Sequence, residues 1–375
     1  MAARRATAGR PYEERGGILD EDRISLRQLI TLTFAALLSP AIRVFPGRTA
    51  QLAGEGGWLA ALAALPLALG LCWALSALLK GRGLGRTALD ILGPAAGRLV
   101  LGLYLAWGLF LLSANARLAA LRFLTVSYRN APLPLFLAAM LALALWLARK
   151  PVRVLGRAGE VFYLALAAGL AFSLALGALQ TDPGNVLPLW GEDLPAVGAA
   201  ALPVLGLLGY GVFAAFLAGG TPPEEKGRRR LMRWTAGLCL TLTALQLVCL
   251  GNFGPGLTAR MDTPFFMMVK GIGIEGTFQR VESVILALWA LSDLALLALL
   301  ASACTALAGE IFPLPDRRRA AAPVVLLALA GALWLFPDAY TLKKIMDQTA
   351  LAGNLAVGFL LPALLLLVKK LRRRA

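Results

Sequence analysis

The chain has 375 residues, of which 59% are hydrophobic and only 15% charged, with a net charge of +16 and no histidine. An average soluble domain is about 25% charged, so a water-soluble globular fold is excluded. The missing imidazole also excludes Ser-His triads, histidine proton relays and histidine metal sites.

Residues 1–24 are polar and mixed in charge, without the apolar stretch of a cleaved signal peptide, and read as a disordered cytoplasmic tail. Ten apolar runs follow, at 25–46, 57–79, 98–124, 131–149, 159–180, 196–219, 231–253, 279–308, 320–337 and 350–368. Most exceed the roughly 20 residues a helix needs to cross the hydrocarbon. Leu and Ala fill them without the apolar–polar alternation of a β-barrel. The fold class is an all-α polytopic membrane protein with ten transmembrane helices.

The first run is interrupted by Ser39-Pro40 and followed by Arg43. After the second comes the glycine-rich turn Gly81-Arg82-Gly83-Leu84-Gly85, which lacks the strand context of a nucleotide loop. The third run carries Ser113, Asn115, Arg117 and Arg122. Residues 181–195 form an acidic external loop, and the sixth run is interrupted by Gly209-Tyr210-Gly211 with Gly206 one turn earlier. The stretch 254–277 contains Pro255 and Pro264; it reads as short capping helices or as a loop. The eighth run starts with Arg280 and Glu282 and holds Asp293 at its middle, and 371–375 are a basic end.

Most Lys and Arg fall in the tail, the C-terminus and alternate loops, whereas the opposite loops are slightly acidic. Basic loops stay in the cytoplasm, which places both termini inside and makes the span number even. The same rule accounts for the positive charge without nucleic-acid binding. Cys72, Cys239, Cys249 and Cys304 all lie within spans, away from metal-ligand spacing, and read as packing residues. No catalytic constellation and no cofactor motif appears.

Interruptions in the first and sixth spans occupy the same place in two five-helix halves, 25–180 and 196–370. An odd number of helices per half makes the repeat inverted. A break frees backbone groups that hydrocarbon cannot satisfy. Half-helix N-termini suit a carboxylate, and free carbonyls suit an ammonium or a cation. An amino acid matches both ends. The candidate ligand site is therefore Ser39, Pro40, Ala41 and Ile42 with Gly206, Gly209, Tyr210 and Gly211. Intramembrane charges are functional candidates by default. Arg43 holds a ligand carboxylate or a neighbouring acid, or snorkels to the outer surface. Arg117 and Arg122 share a depth with Glu282, which predicts an ion pair between the third and eighth spans, or a transport relay. Asp293 carries a proton, faces a water-filled cavity or pairs with Arg43.

Several segments resemble a known family. Ile24-Ser25-Leu26-Arg27-Gln28-Leu29 is similar to the I-S-x-R-Q-L start of the first helix in spore germination permeases. Asn185-Val186-Leu187-Pro188-Leu189-Trp190-Gly191-Glu192 resembles their external N-x-L-P-x-x-G segment. Arg280-Val281-Glu282 with Trp289 resembles their eighth helix, Leu335-Phe336-Pro337-Asp338 the end of their ninth, and Arg117 the arginine of their third. These permeases are the B subunits of nutrient germinant receptors, within the amino acid–polyamine–organocation superfamily. The resemblance implies a LeuT-like five-plus-five inverted repeat and an amino-acid-type nutrient at the helix breaks. It also implies A and C partner subunits and the inner membrane of a bacterial spore. Gly211 stands where many relatives carry an acid, and Gln279 replaces a frequent Glu. The resemblance implies a ligand-binding sensor; the alternative is a proton-coupled amino acid transporter.

Overall fold

Ser25 starts the first membrane helix, α1 (Leu26–Ala53): its hydroxyl accepts the Gln28 amide while the Gln28 carboxamide oxygen accepts the Ser25 amide. This reciprocal cap satisfies two donors that a helix start leaves open. It gives a physical reason for the Ser and Gln of the Ile24–Leu29 segment. Arg27 of the same segment pairs with Glu160 at 3.2 Å. The computed structural model describes residues 23–372 except 80, 127–131, 188–192, 220, 222–225, 272–280, 313 and 315; side chains at 125–126 and 281–284 are also outside the description.

The expected break at Ser39-Pro40 does not occur: α1 is helical through Pro40 and Pro46. The reason is a substitute bond. Ser292 Oγ accepts the Ser39 amide at 2.7 Å and donates to the Ala35 carbonyl at 2.6 Å. It bridges the two groups, four residues apart, that an α-helix normally joins directly. A hydroxyl from another helix thus provides hydrogen-bond partners at the level of the proline.

The 3₁₀ turn Gly54–Leu59 leads to α2 (Ala60–Leu79), followed by α3 (Leu84–Leu92), a short helix where the sequence suggests only a turn. Next come α4 (Pro94–Val126), α5 (Leu133–Ala148) and α6 (Val152–Ala178). The sixth apolar run is two helices, α7 (Leu194–Gly209) and α8 (Val212–Leu217), and α9 covers Gly227–Arg260. Gly254 kinks α9 with φ +69°, a conformation glycine adopts without penalty. The stretch 254–277, described as far as Gly271, contains the end of α9 and the short helix α10 (Pro264–Gly271). Then follow α11 (Val281–Ile311), α12 (Ala321–Trp334), α13 (Ala339–Leu355), the π-turn Ala356–Leu360 and α14 (Leu361–Arg372).

Seven segments among the described residues are long and apolar enough to cross a membrane. One of them, Leu26–Leu79, holds both α1 and α2, whereas α5 with 16 residues and α12 with 14 are shorter than roughly 20. Length alone therefore does not return the ten crossings expected from the sequence.

α1 is the axis of the bundle, in contact with α6, α7, α9 and α11, while α4 lies against α11 and α12. Nearly every α1 residue from Leu29 to Ile42 is buried. The peripheral helices turn Leu135, Trp146, Leu164, Leu326 and Trp334 outward. Helices immersed in lipid gain no hydrophobic energy by meeting, so close packing must hold them. Glycines provide it: a Cβ on Gly159 of α6 would lie 2.8 Å from Leu32 Cβ. One on Gly209 would lie 2.6 Å from the Asn354 carbonyl, and one on Gly358 of the π-turn 2.6 Å from Gly209 Cα.

Substituting Gly209→Ala therefore wedges α7 from α13 and should cost about 1–3 kcal/mol, as overpacking of a tight contact does. Gly70→Ala, at a position with open space around it, should be neutral. Thermal unfolding of purified protein in detergent checks both; equal melting temperatures would remove the close-approach argument.

Candidate functional site

Polar side chains are rare inside this bundle, and those of α1, α4 and α11 converge. Ser39, one residue before Pro40, is 1% exposed. Its hydroxyl donates to Asp293 Oδ1 and accepts the Trp289 indole N–H at 3.0 Å. Arg122 of α4 pairs with Asp293 Oδ2, and its Nη atoms lie 3.5 Å from Ser39 Oγ. The guanidinium carbon lies 3.8 Å from the centre of the Trp289 ring. Both charged side chains are almost fully enclosed, 9% exposed for Arg122 and 5% for Asp293. Isolated buried charges cost several kcal/mol each, so survival here depends on this mutual pairing and on the added hydrogen bonds.

Among the described residues Arg122 pairs with Asp293; the Glu282 side chain and Arg280, of the ion pair expected from sequence, lie outside the described residues. Arg117 donates to the Pro337 carbonyl at 2.7 Å, tying α4 to the end of α12. Beside it Phe336 is fully buried, and Asp338 caps α13 by accepting the Thr341 amide and hydroxyl. Those two bonds hold the Asp338 carboxyl below the usual range. The Leu335–Asp338 segment thus has a structural job at the outset of α13.

One turn beyond Ser39, Arg43 donates to Asn115 Oδ1 at 3.4 Å. Asn115 in turn donates to the Leu111 carbonyl at 2.8 Å and to the Tyr210 hydroxyl at 3.3 Å. Tyr210 and Gly211 lie between α7 and α8, where the Tyr210 and Gly211 amides reach back three residues to Leu207 and Leu208. The chain Arg43–Asn115–Tyr210 so links the proline level of α1 to the glycine segment half a chain away. Farther along α1, Arg48 lies 4.0 Å from Asp347 of α13, and Lys343 pairs with Asp262, forming an exposed charged rim.

The other predicted residues separate. Ile42 lines a small cavity of about 20 Å³ with Trp289, Ser292 and Phe265. Gly206 and Gly209 are turned to α13, against Leu351 and Asn354. Gly211 instead lines a much larger cavity, about 710 Å³, with Thr33, Leu37, Ala68, Leu208 and Trp234. That volume falls within the range of small-molecule sites. Its walls are the first half of α1, the latter half of α2, the α7–α8 junction and the start of α9. Sequence reasoning missed Ser292, Trp289, Asn115, Thr33 and Trp234 as site residues. Adjacent polar residues at mid-span, Ser292-Asp293, were the available signal for the first.

Comparison with known proteins follows from this geometry. The family model described as spore germination protein matches residues 23–339. Spore germination protein KB of Bacillus subtilis (strain 168) is 22% identical over 277 residues, covering 70% of this chain and 72% of its own. Mhp1, a nucleobase-cation-symport-1 family transporter solved in a closed conformation with bromovinylhydantoin bound, superposes with a TM-score of 0.68 at 15% identity, covering 93% of this chain and 78% of its own. MhsT, solved in complex with L-phenylalanine, gives 0.63 at 12%, covering 91% and 87%. At such identities the likeness shows the fold alone, the LeuT fold.

Removing one member of the central ion pair should be costly. Asp293→Leu is expected to lose about 3–5 kcal/mol, because it strands the Arg122 charge, and the double variant with Arg122→Met should recover part of that loss. A double-mutant cycle by denaturant unfolding in micelles measures the coupling; additive losses would contradict the pair.

Proposed function

The chain belongs to the spore germination protein family, and from that membership we propose that it is the ligand-binding membrane subunit of a spore nutrient germinant receptor. The ligand is an amino acid or a similar small nutrient, held between the Ser39–Ile42 stretch of α1 and Tyr210 and Gly211 of the α7–α8 junction, with Gly206 and Gly209 seating that junction against α13. Arg43 contributes the carboxylate contact. The observation that carries this reading is the polar chain Arg43–Asn115–Tyr210, which joins α1 to the α7–α8 junction in a largely apolar interior. The relative named as a germination protein and a neighbour solved with an amino acid support the same direction.

In this proposal the chain crosses the spore inner membrane ten times, by α1, α2, α4, α5, α6, α7–α8, α9, α11, α12 and α13–α14, with both termini in the cytoplasm. The halves 25–180 and 196–370 are inverted repeats. A short helix such as α5 is accommodated by local thinning of the bilayer or by snorkelling flanks. A and C receptor subunits receive the signal, which is a shift of α1 against the α7–α8 junction. The second reading, a proton-coupled amino acid transporter, is favoured by Asp293, a carboxylate enclosed at mid-span.

Two measurements decide. Purified protein screened by thermal shift against amino acids should be stabilised by at least one, and Gly211→Leu, which intrudes on the large cavity, should weaken that stabilisation at least tenfold in concentration. Proteoliposomes holding the isolated chain should show no concentrative, gradient-driven uptake of the same amino acid. Such uptake would establish the transporter instead, and no stabilisation by any amino acid would discard the ligand class.

A further inference from the structure

The groups around Arg122 make up a complete receptor for a cation. Asp293 supplies the carboxylate. Ser39 Oγ, which gives its one proton to Asp293 and accepts the Trp289 indole N–H, has one lone pair left for a cation. Trp289 offers the face of the indole, the ring that attracts cations most strongly, at 3.8 Å from the guanidinium carbon. The box is built on α1 and α11, whereas the cation that fills it is carried on a third helix, α4, at the end of a long flexible side chain.

Charge bookkeeping gives the box a further property. Among the described residues, Arg43 and Arg122 face one enclosed carboxylate, Asp293, within electrostatic range of each other. Asp347, also in range of Arg43, is exposed at the rim and lies 4.0 Å from Arg48. Arg43 has only the 3.4 Å bond to Asn115 among the described residues. Among the described residues, two enclosed guanidinium groups thus share the field of one enclosed carboxylate, beside a box whose cation is carried on a side chain.

We propose that Arg122 is a tethered plug, and that a zwitterionic amino acid enters by inserting itself into the Arg122–Asp293 ion pair. The ligand ammonium takes the place of the guanidinium between Asp293, Ser39 and the Trp289 face. The carboxylate, with two oxygens, accepts the displaced Arg122 on one and Arg43 on the other. One ion pair is exchanged for a chain of alternating charges, and no charge is left buried without a partner. Because Ser39 and Ser292 bridge α1 to α11 at this level, the exchange also changes what holds the proline segment of α1. This mechanism rests on the amino-acid reading above, but the box itself does not.

The test empties the box and refills it with small cations. Full-length Arg122→Ala and Arg122→Gln, in nanodiscs, are melted in methylammonium or methylguanidinium chloride, with choline chloride at equal ionic strength as control. Both variants should melt lower than wild type and regain at least half of the difference in methylammonium or methylguanidinium. Wild type and Arg122→Gln/Asp293→Asn should not respond. No recovery in a monodisperse variant, or an equal shift in wild type, overturns the box. Recovery in the variants while no amino acid stabilises the wild type keeps the box and discards the ligand class and the insertion. Amino-acid binding that survives Arg122→Ala unchanged overturns the insertion while leaving the amino-acid reading in place.

Discussion

Inside a bilayer no water is at hand to satisfy a charge, and among the described residues Arg122 and Asp293 meet that need by pairing with each other. Meeting that requirement sets the relation of three helices. α11 must present Asp293 toward α1, α4 must reach across to it, and α1 must supply Ser39 between them. Arg117 adds a second tie from α4 to the turn before α13. The polar interior is consequently a positional device, whatever ligand it also serves.

The same constraint explains how α1 tolerates two prolines. Each proline removes an amide donor and leaves a carbonyl four residues back without its usual partner. Beside those freed carbonyls, of Ala36 and Ile42, other helices bind the α1 backbone: Ser292 holds the Ser39 amide and the Ala35 carbonyl, and the Gln246 side chain donates to the Pro46 carbonyl at 3.1 Å. Elsewhere closeness is achieved by having no side chain at all. Gly159 lets α6 lie on Leu32, and the pair Gly209 and Gly358 lets the α7–α8 junction meet the π-turn. π-turns are strained and concentrate at functional places. This one abuts the end of α7, next to the Tyr210–Gly211 interruption of the sixth apolar run.

These particulars decide what could be read from the sequence. The apolar runs were legible because a crossing needs length and apolarity, both of which are local properties. Tyr210 was legible because glycines on either side weaken a helix whatever surrounds it. Pro40 misled for the opposite reason: its consequence depends on a hydroxyl 252 positions away. The pairing of Arg122 with Asp293 was unreadable in the same way. Depth along a span limits the choice to a few acids, but only the rotation of α11 about its axis decides between them. Ser39 was chosen for its backbone, and it matters through its side chain.

Sensing and transport differ in what must happen after a ligand arrives. A transporter must open its site to both sides and leave no interaction so favourable that the substrate stays. A sensor needs one ligand-dependent displacement and has no need to release its ligand on the far side. The enclosed geometry around Asp293 suits the second task. Its cation belongs to the chain, so displacement by a ligand leaves Arg122 tethered beside the site, ready to return. The restoring cation is then present at a high effective concentration and needs no ion gradient to supply it. A bound ligand must hold α1 in its shifted state against that return. In the proposed sensor the occupancy of one buried box is thereby converted into the position of a helix that packs against α6, α7, α9 and α11, among others.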